Sequence, residues 1–329
     1  MKGIFRRRGA VLAAGAAVSL AVASTAIAGA GQKPTYDLKR LTGSITADGS
    51  STVGPYTTAA AELFSRAGAS KVRLTVGISG TGGGFQRFCK GEIDLSNASR
   101  PMRNTEAASC KSNNVGSWRA FTVANDALTV VVNQQNTWAQ CLSVAELKKI
   151  WEPGSKVDNW RDIRPGFPDV PLRLFGAGTD SGTFEYFTEA INGRARASRT
   201  DYQASEDDNV LVTGVAGERG AMGYFGYSYY TENRSRLNAV QIRNPKTDAC
   251  VAPGVSTVHN NSYKPLSRPL FIYAKGSSFK RPEVQAFLDY VFDNEIKIAQ
   301  RARFVPLTKV QLKRARTNFA LAVKAARRG

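Results

Sequence analysis

Three short glycine-rich loops constrain the fold of this chain more than any other feature, because each lies next to the start of a predicted helix. They span residues 48–55 (DGSSTVGP), 79–84 (SGTGGG) and 176–183 (GAGTDSGT). The second and third directly follow apolar, β-branched runs at 72–78 and 172–175 that predict strands. Glycine lets backbone N–H groups approach a ligand, and a helix N-terminus favours an anion. An ordinary capped turn explains any one loop; the three together predict a site for a tetrahedral oxyanion.

Strands and helices alternate along the rest of the chain. Further strands are predicted at 127–133, 239–242 and 270–274, and helices at 55–67, 143–150, 183–191, 209–215 and 283–301. This alternation predicts α/β layers with largely parallel sheets. A chain of 329 residues is long enough for about two domains.

The first 28 residues have the pattern of an export signal. A basic start from Lys2 to Arg8 precedes a run of small apolar residues ending in Ala26-Ile27-Ala28, which fits an A-x-A cleavage site. The arginine run leaves the twin-arginine route open beside the general secretory route. The earliest cysteine is Cys89, far from the cleavage site. We therefore expect an exported protein without a lipid anchor, periplasmic, envelope-associated or secreted.

An even number of cysteines in an exported chain predicts disulfides. The four are Cys89, Cys110, Cys141 and Cys250. Three pairings exist, and we favour Cys89 with Cys110 and Cys141 with Cys250 because the first bond closes a short loop. No C-x-x-C spacing occurs and His259 is the single histidine, so we expect no metal site.

Positive charge is concentrated at the two ends of the chain. The formal net charge is +19, and residues 301–329 hold nine Lys or Arg and no acid. Residues 308–329 are predicted to form a basic C-terminal helix or tail. Either it packs on the body with its charges in water, or it contacts an anionic envelope polymer or membrane surface. We expect no nucleic-acid partner for an exported chain.

Motifs of the common enzyme classes are incomplete. No Gly-Lys is followed by Ser or Thr, as a phosphate loop of the NTPase type requires. The dinucleotide fingerprint fails at Phe85, and the nucleophile elbow around Ser181 fails at Thr179. His259 lies in a polar turn, so a Ser-His-Asp triad is not expected. We expect no catalytic residue and no organic cofactor.

The glycine-rich loops and several further segments, in this order, resemble the phosphate-binding proteins of Pst-type phosphate ABC importers (PstS-like proteins). The similar segments are 48–55, 76–85, 91–101, 176–184, 204–210, 220–226 and 265–270. The resemblance implies an α/β, two-lobe periplasmic-binding-protein fold (type II-like), with the ligand cleft between lobes joined by a two-strand hinge. Lobe 1 would comprise 44–125 and 255–307, and lobe 2 would comprise 126–254.

The resemblance also implies phosphate-binding positions, carried over residue by residue. The first loop would contribute Thr52 and Val53, and the second Ser79 and Gly80. The third would contribute the consecutive residues Ser181, Gly182 and Thr183.

Two departures from the family pattern concern charge. Well-known members have an aspartate where this chain has Arg100, and an arginine near Ala177. An arginine fork binds an oxyanion through two charge-assisted bonds. A carboxylate accepts a hydrogen bond from protonated phosphate and repels sulfate. We therefore expect Arg100 to bind phosphate and Asp180 to reject sulfate, against the alternatives of a surface salt bridge for Arg100 and a helix cap for Asp180.

The sequence thus predicts an exported, monomeric solute-binding protein that captures inorganic phosphate and delivers it to an ABC permease. Three alternatives remain open at this point. They are a binding protein for another tetrahedral oxyanion such as sulfate, an exported phosphatase-like enzyme, and an envelope protein that adheres through its basic tail.

Overall fold

The computed structural model describes residues 36–328, so the predicted export signal lies outside the described residues. The strands are β1 Gly43–Gly49, β2 Val72–Val76, β3 Leu95–Ala98, β4 Trp118–Asn133, β5 Cys141–Ser143, β6 Arg173–Ala177, β7 Gln203–Ser205, β8 Ala221–Gly226, β9 Leu237–Ala239, β10 Gln241–Arg243, β11 Cys250–Val251 and β12 Ser267–Lys275. The helices are α1 Gly54–Arg66, α2 Gly80–Cys89, α3 Asn104–Ser112, α4 Val144–Trp151, α5 Gly182–Asn192, α6 Asp208–Gly217, α7 Tyr227–Glu232, α8 Val255–His259, α9 Pro282–Asp293, α10 Glu295–Arg301 and α11 Lys309–Ala326.

One mixed sheet organises the molecule, in the order β2-β1-β3-β12-β4-β8-β6-β7, with β9 also paired to β4. Its outer pairs are parallel: β1 with β2 and β3, and β6 with β7 and β8. The two central strands, β12 and β4, pair antiparallel with each other and with their neighbours. The prediction of largely parallel sheets is therefore wrong at the centre, where β12 and β4 cross between the halves instead of belonging to a βαβ unit.

The length of β4 explains how two halves share one sheet. Its first part, Trp118 to Ala127, pairs with β12, and its second part, Leu128 to Val132, pairs with β8. The α/β, two-lobe fold with crossing strands is thus confirmed. The predicted lobe boundary at residues 125 and 126 falls inside β4, and the assignment of residues to lobes stays a prediction.

Aromatic packing fixes α5, whose first turn belongs to the third loop. Phe187 of α5 stacks on Tyr224 of β8 with ring centroids 3.8 Å apart and 8° between the planes. Trp151 of α4 meets Tyr224 edge-on at 4.9 Å, and these rings are buried. Such contacts stabilise the core beyond the area they bury, so the helix start is held rigidly against the sheet.

Both favoured disulfide pairings are confirmed. Cys89, at the end of α2, bonds Cys110 of α3, and Cys141 of β5 bonds Cys250 of β11. The first ties the C-terminal end of α2 to α3. The second closes the small three-stranded sheet β11-β10-β5.

Two predicted elements are split. The strand predicted at 239–242 is two strands in different sheets, because the Val240 N–H donates to Val130 while the Gln241 N–H donates to Gln140. The helix predicted at 283–301 breaks at Asn294, whose backbone leaves the helical region at φ −114° and ψ 20°. None of the helices in the described part of the chain is both long and apolar enough to cross a membrane.

Candidate functional site

The first and second loops are joined by a buried carboxylate. Asp48, near the end of β1, accepts the N–H of Gly49 at 2.7 Å and the N–H of Ser79 at 3.0 Å through Oδ1. Its Oδ2 accepts a hydrogen bond from Arg87 of α2. Asp48 is 2% exposed, so this network positions the start of α2 relative to the first loop.

The second loop turns sharply into α2. Gly80 has φ +77°, a conformation that side chains with a Cβ adopt rarely, and Ser79 occupies the N-cap position. Thr81 and Ser99 lie together, with 3.0 Å between their hydroxyl oxygens. The N–H of Ser99 donates to Thr81 Oγ1 at 3.2 Å. This pair connects the second loop to the end of β3.

The first and third loops touch directly. The Thr52 hydroxyl donates to the carbonyl of Gly182 at 3.2 Å. A Cβ on Gly182 would lie 2.5 Å from the Thr52 nitrogen, closer than two such atoms approach. Thr52 is 9% exposed and Val53 is fully buried; the Val53 N–H faces Ser50 Oγ at 3.4 Å. Glycine at 182 is therefore required for this close approach.

In the third loop, Ser181 is the N-cap of α5, and its Oγ accepts the N–H of Thr183 at 3.1 Å. Asp180 precedes the cap and is exposed. Its backbone N–H donates to Glu206 Oε1 at 3.2 Å. The capping alternative raised for Asp180 thus applies to its neighbour Ser181 instead.

An arginine outside the predicted set reaches the junction of the first and third loops. Arg268, at the start of β12, donates from Nη2 to the Thr52 hydroxyl at 3.0 Å and from Nε to Asp126 Oδ2 at 3.3 Å. Its guanidinium lies 3.5 Å from the centre of the Tyr186 ring, a close cation–π contact. Arg268 therefore bridges the first loop, the crossing strand β4 and helix α5.

Arg100 is held differently. Its Nη1 and Nη2 donate to the two oxygens of Glu106 at 2.9 and 2.7 Å. Its guanidinium lies 5.6 Å from the centre of the Phe85 ring. The same Glu106 also accepts the N–H of Arg103 at 2.7 Å, at the start of α3. The salt-bridge alternative raised for Arg100 is thus present in the structure.

Burial and charge shift the carboxyl groups of these two pairs in opposite directions. Burial raises the pKa of Asp126 above its ordinary value, although Arg268 acts against this. Burial also opposes ionisation of Glu106, but hydrogen bonds from Arg100 and the Arg103 N–H outweigh it and lower the pKa of Glu106. Asp126 is thus the more poorly compensated carboxylate.

Two cavities flank the contact between Thr52 and Gly182. One, of about 670 Å³, is lined by Arg100, Tyr186 and Arg268 among others. The other, of about 810 Å³, brings together predicted residues from two loops with the buried carboxylate: Thr52, Asp126, Asp180, Ser181, Gly182 and Thr183. Arg100 and Asp180 thus line different cavities.

Sequence reasoning overlooked Arg268 and Asp126. The segment 265–270 is similar to the family, but an arginine two residues before the strand predicted at 270–274 gives no signal of a site. Asp126 sits in the middle of β4, where an isolated carboxylate among apolar residues was the available clue. Within the described residues, no group of three or more His, Cys, Asp or Glu side chains is arranged to hold a metal ion.

Comparison with known proteins places this geometry in a family. Residues 25–295 match a family model described as "PBP superfamily domain". The chain is also 46% identical over 265 residues to Protein SphX of Synechococcus elongatus, covering 80% of this chain and 77% of that protein. The chain belongs to the PBP superfamily.

Two further proteins similar to this chain are named for phosphate. The phosphate-binding protein PstS of Staphylococcus epidermidis is 33% identical over 276 residues, covering 83% of this chain and 82% of that protein. A crystal structure described as a "possible phosphate binding protein" from Planctomyces limnophilus superposes with a TM-score of 0.82 at 47% identity, covering 86% of this chain and 99% of that one. The resemblance stated from the sequence is thereby confirmed.

Proposed function

We propose that this protein captures inorganic phosphate between its two lobes and delivers it to an ABC permease. The observation that carries the proposal is the meeting of the first and third loops at Arg268, which brings the Thr52 hydroxyl and the Arg268 guanidinium next to the start of α5. Two PBP-superfamily relatives with phosphate-binding in their names support the choice of ligand.

The chemistry of the site suits a small dianion. The helices α2 and α5 both begin in the glycine-rich loops, and N–H groups in a first helical turn favour negative charge. Arg268 supplies a planar guanidinium already oriented by Asp126 and Tyr186, so little side-chain entropy is lost when an oxyanion binds. No bond in the ligand needs to break, and the proposed role involves no catalysis and no cofactor.

Closure of the lobes is the proposed working step. The contact between Thr52 and Gly182 joins loops that follow β1 and β6, strands in opposite halves of the sheet. A ligand favours the closed form only by as much as it binds that form more tightly. Hydrogen-bond donors from both sides of this contact would make the closed form bind phosphate more tightly, because an open form would move the donors of one side away from those of the other.

The residues proposed to contact phosphate extend the predicted set by Arg268. Arg100 is expected to contribute less than Arg268, because both of its Nη atoms are engaged by Glu106. The remaining proposed contacts are those of the three loops: Thr52, Val53, Ser79, Gly80, Ser181, Gly182 and Thr183.

Selectivity for phosphate over sulfate is proposed to require a carboxylate that accepts a hydrogen bond from the protonated ligand. Asp180 is the predicted group, and Asp126 is a second candidate because it is buried beside Arg268. Replacing Asp180 and Asp126 separately by asparagine tests the two candidates. The variant that no longer discriminates against sulfate identifies the carboxylate responsible. The physical reason is that a ligand which leaves a buried hydrogen-bond acceptor unpaired is strongly rejected.

Export, a monomeric state and a permease partner complete the proposal. They are supported by the export-signal pattern in residues 1–28 and by the resemblance to the binding proteins of phosphate importers. Gel filtration with light scattering tests the monomer, and cross-linking to a co-expressed permease tests delivery.

The deciding experiment is calorimetric titration of the protein after removal of bound anion by unfolding and refolding. We expect one phosphate to bind with a dissociation constant in the micromolar range or below, and sulfate at least ~100-fold more weakly, about 2.7 kcal/mol. Equal binding of sulfate would favour the broader oxyanion alternative. Turnover of a chromogenic phosphate ester would instead favour the enzyme alternative.

A further inference from the structure

Helix α11 is anchored by one face. Its buried residues are Ala315, Phe319, Ala322 and Val323, and the Phe319 ring lies 5.7 Å from that of Phe292. At the start of the helix, Thr308 and Gln311 form a reciprocal cap. The prediction of a basic amphipathic helix here is confirmed, and one side of it is committed to the body of the protein.

The opposite face is both cationic and apolar. At about 3.6 residues per turn, a single line of side chains runs along it. We call this line the basic stripe, and it consists of Val310, Lys313, Arg314, Leu321, Lys324 and Arg328. All six are exposed. Val310 is 79% exposed and Leu321 55%, so most of each apolar side chain faces solvent.

Nothing in the helix neutralises this charge. Residues 301–329 contain no Asp or Glu. In the part of the chain that the structure describes, the ion pair made by α11 is that of Arg316 with Asp293 at 2.7 Å. Arg316 projects to the side of the stripe, so the stripe keeps its full positive charge.

We propose that the basic stripe docks the protein on an anionic phospholipid surface. Cationic side chains attract such a surface, and apolar side chains between them enter the region below the headgroups. A soluble polyanion would engage the cations equally well, but it offers no environment for Val310 and Leu321. The exposed apolar residues therefore favour the lipid surface.

Docking through α11 leaves the candidate phosphate site open. Neither of the two cavities beside the contact between Thr52 and Gly182 is lined by an α11 residue among those described. The inference is independent of the proposed function, because membrane docking and phosphate binding use different residues and are measured separately.

Co-sedimentation with vesicles tests the proposal. The full chain is mixed with phosphatidylcholine vesicles that contain or lack phosphatidylglycerol, at low and at physiological salt. We expect binding only to the anionic vesicles, weakened by salt because the attraction is screened. The combined substitutions Lys313→Gln, Arg314→Gln, Lys324→Gln and Arg328→Gln should reduce the binding constant at least tenfold, and Leu321→Ser alone about threefold.

A matched control removes four exposed charges elsewhere, with Lys71→Gln, Lys111→Gln, Arg194→Gln and Arg236→Gln, and should change vesicle binding less than twofold. An equal loss in this control would mean that diffuse charge is responsible and would overturn the proposal. So would the absence of binding to anionic vesicles, or binding to soluble polyphosphate without binding to vesicles. Circular dichroism and the thermal midpoint confirm that each variant is folded.

Discussion

Two arginines line the same cavity, Arg100 and Arg268, yet different partners hold them. Arg100 donates to both oxygens of Glu106, a carboxylate whose pKa is lowered. Arg268 meets Asp126 through Nε and reaches the Thr52 hydroxyl through Nη2, beside a carboxylate whose pKa is raised by burial. From this difference in partner geometry we propose a structural role for Arg100 and a ligand contact for Arg268.

Replacement of Arg268 should have the largest effect. Arg268→Gln removes the positive charge that we place at the contact between Thr52 and Gly182, and we expect phosphate affinity to fall about 100-fold or more. Arg268→Lys keeps the charge but loses the planar fork and should lose about tenfold. Titration calorimetry measures both variants. A phosphate affinity of Arg268→Gln within threefold of the wild-type value would contradict the different roles proposed for Arg268 and Arg100.

Gly182→Ala should follow, with an expected loss of about 30-fold. The added Cβ would lie 2.5 Å from the Thr52 backbone nitrogen, which prevents the two loops from meeting and separates Arg268 from the third loop. The control is Gly217→Ala, since a Cβ there meets no atom within 4 Å. If Gly182→Ala binds phosphate as well as the control does, the contact is not part of the bound state.

Arg100→Gln should change affinity less, by about tenfold or below, and should instead reduce stability by roughly 1 kcal/mol. The sign of its pH dependence follows from Glu106, whose pKa is lowered in the folded state. The stabilisation from the Arg100–Glu106 pair is fully present at pH values above 4.5, the ordinary pKa of the glutamate carboxyl. It is lost as the pH falls through the lower pKa that Glu106 has in the folded state. Urea unfolding should therefore show the wild type and the variant converging in acid.

Asp126→Asn should change the stability in the opposite direction to Arg100→Gln. Because the pKa of Asp126 is raised in the folded state, its ionised form destabilises the protein at neutral pH. The variant should therefore be more stable there. This gain should shrink as the pH falls toward 3.8, the ordinary value of the carboxyl. A variant that is less stable at neutral pH would show that Arg268 compensates Asp126 fully.

Local sequence patterns predicted those structural features that depend on residues a few positions apart. The glycine-rich loops, the helix that begins with Pro55 in its first turn and the cap at Ser143 are all present as expected, because spacing and capping residues act over a few positions. The class of fold followed from the alternation of strands and helices together with the family resemblance.

The rest depended on contacts between distant parts of the chain. Arg268 and Thr52 are 216 residues apart, and no local pattern links them. The split of 239–242 into two strands likewise depends on partners at Val130 and Gln140, since an apolar run is compatible with either pairing. Sequence periodicity predicts which face of a helix or strand is buried, but it does not identify the element that this face packs against.

The central claim is that Arg268, held at the meeting of the two loops, is the principal charged contact of a bound phosphate. One calorimetric series tests it most directly: anion-stripped wild type, Arg268→Gln and Arg100→Gln, each titrated with phosphate. The account predicts tight binding by the wild type, a loss of about 100-fold for Arg268→Gln and a clearly smaller loss for Arg100→Gln. A larger loss at Arg100 than at Arg268, or no phosphate binding by the folded wild type, would contradict it.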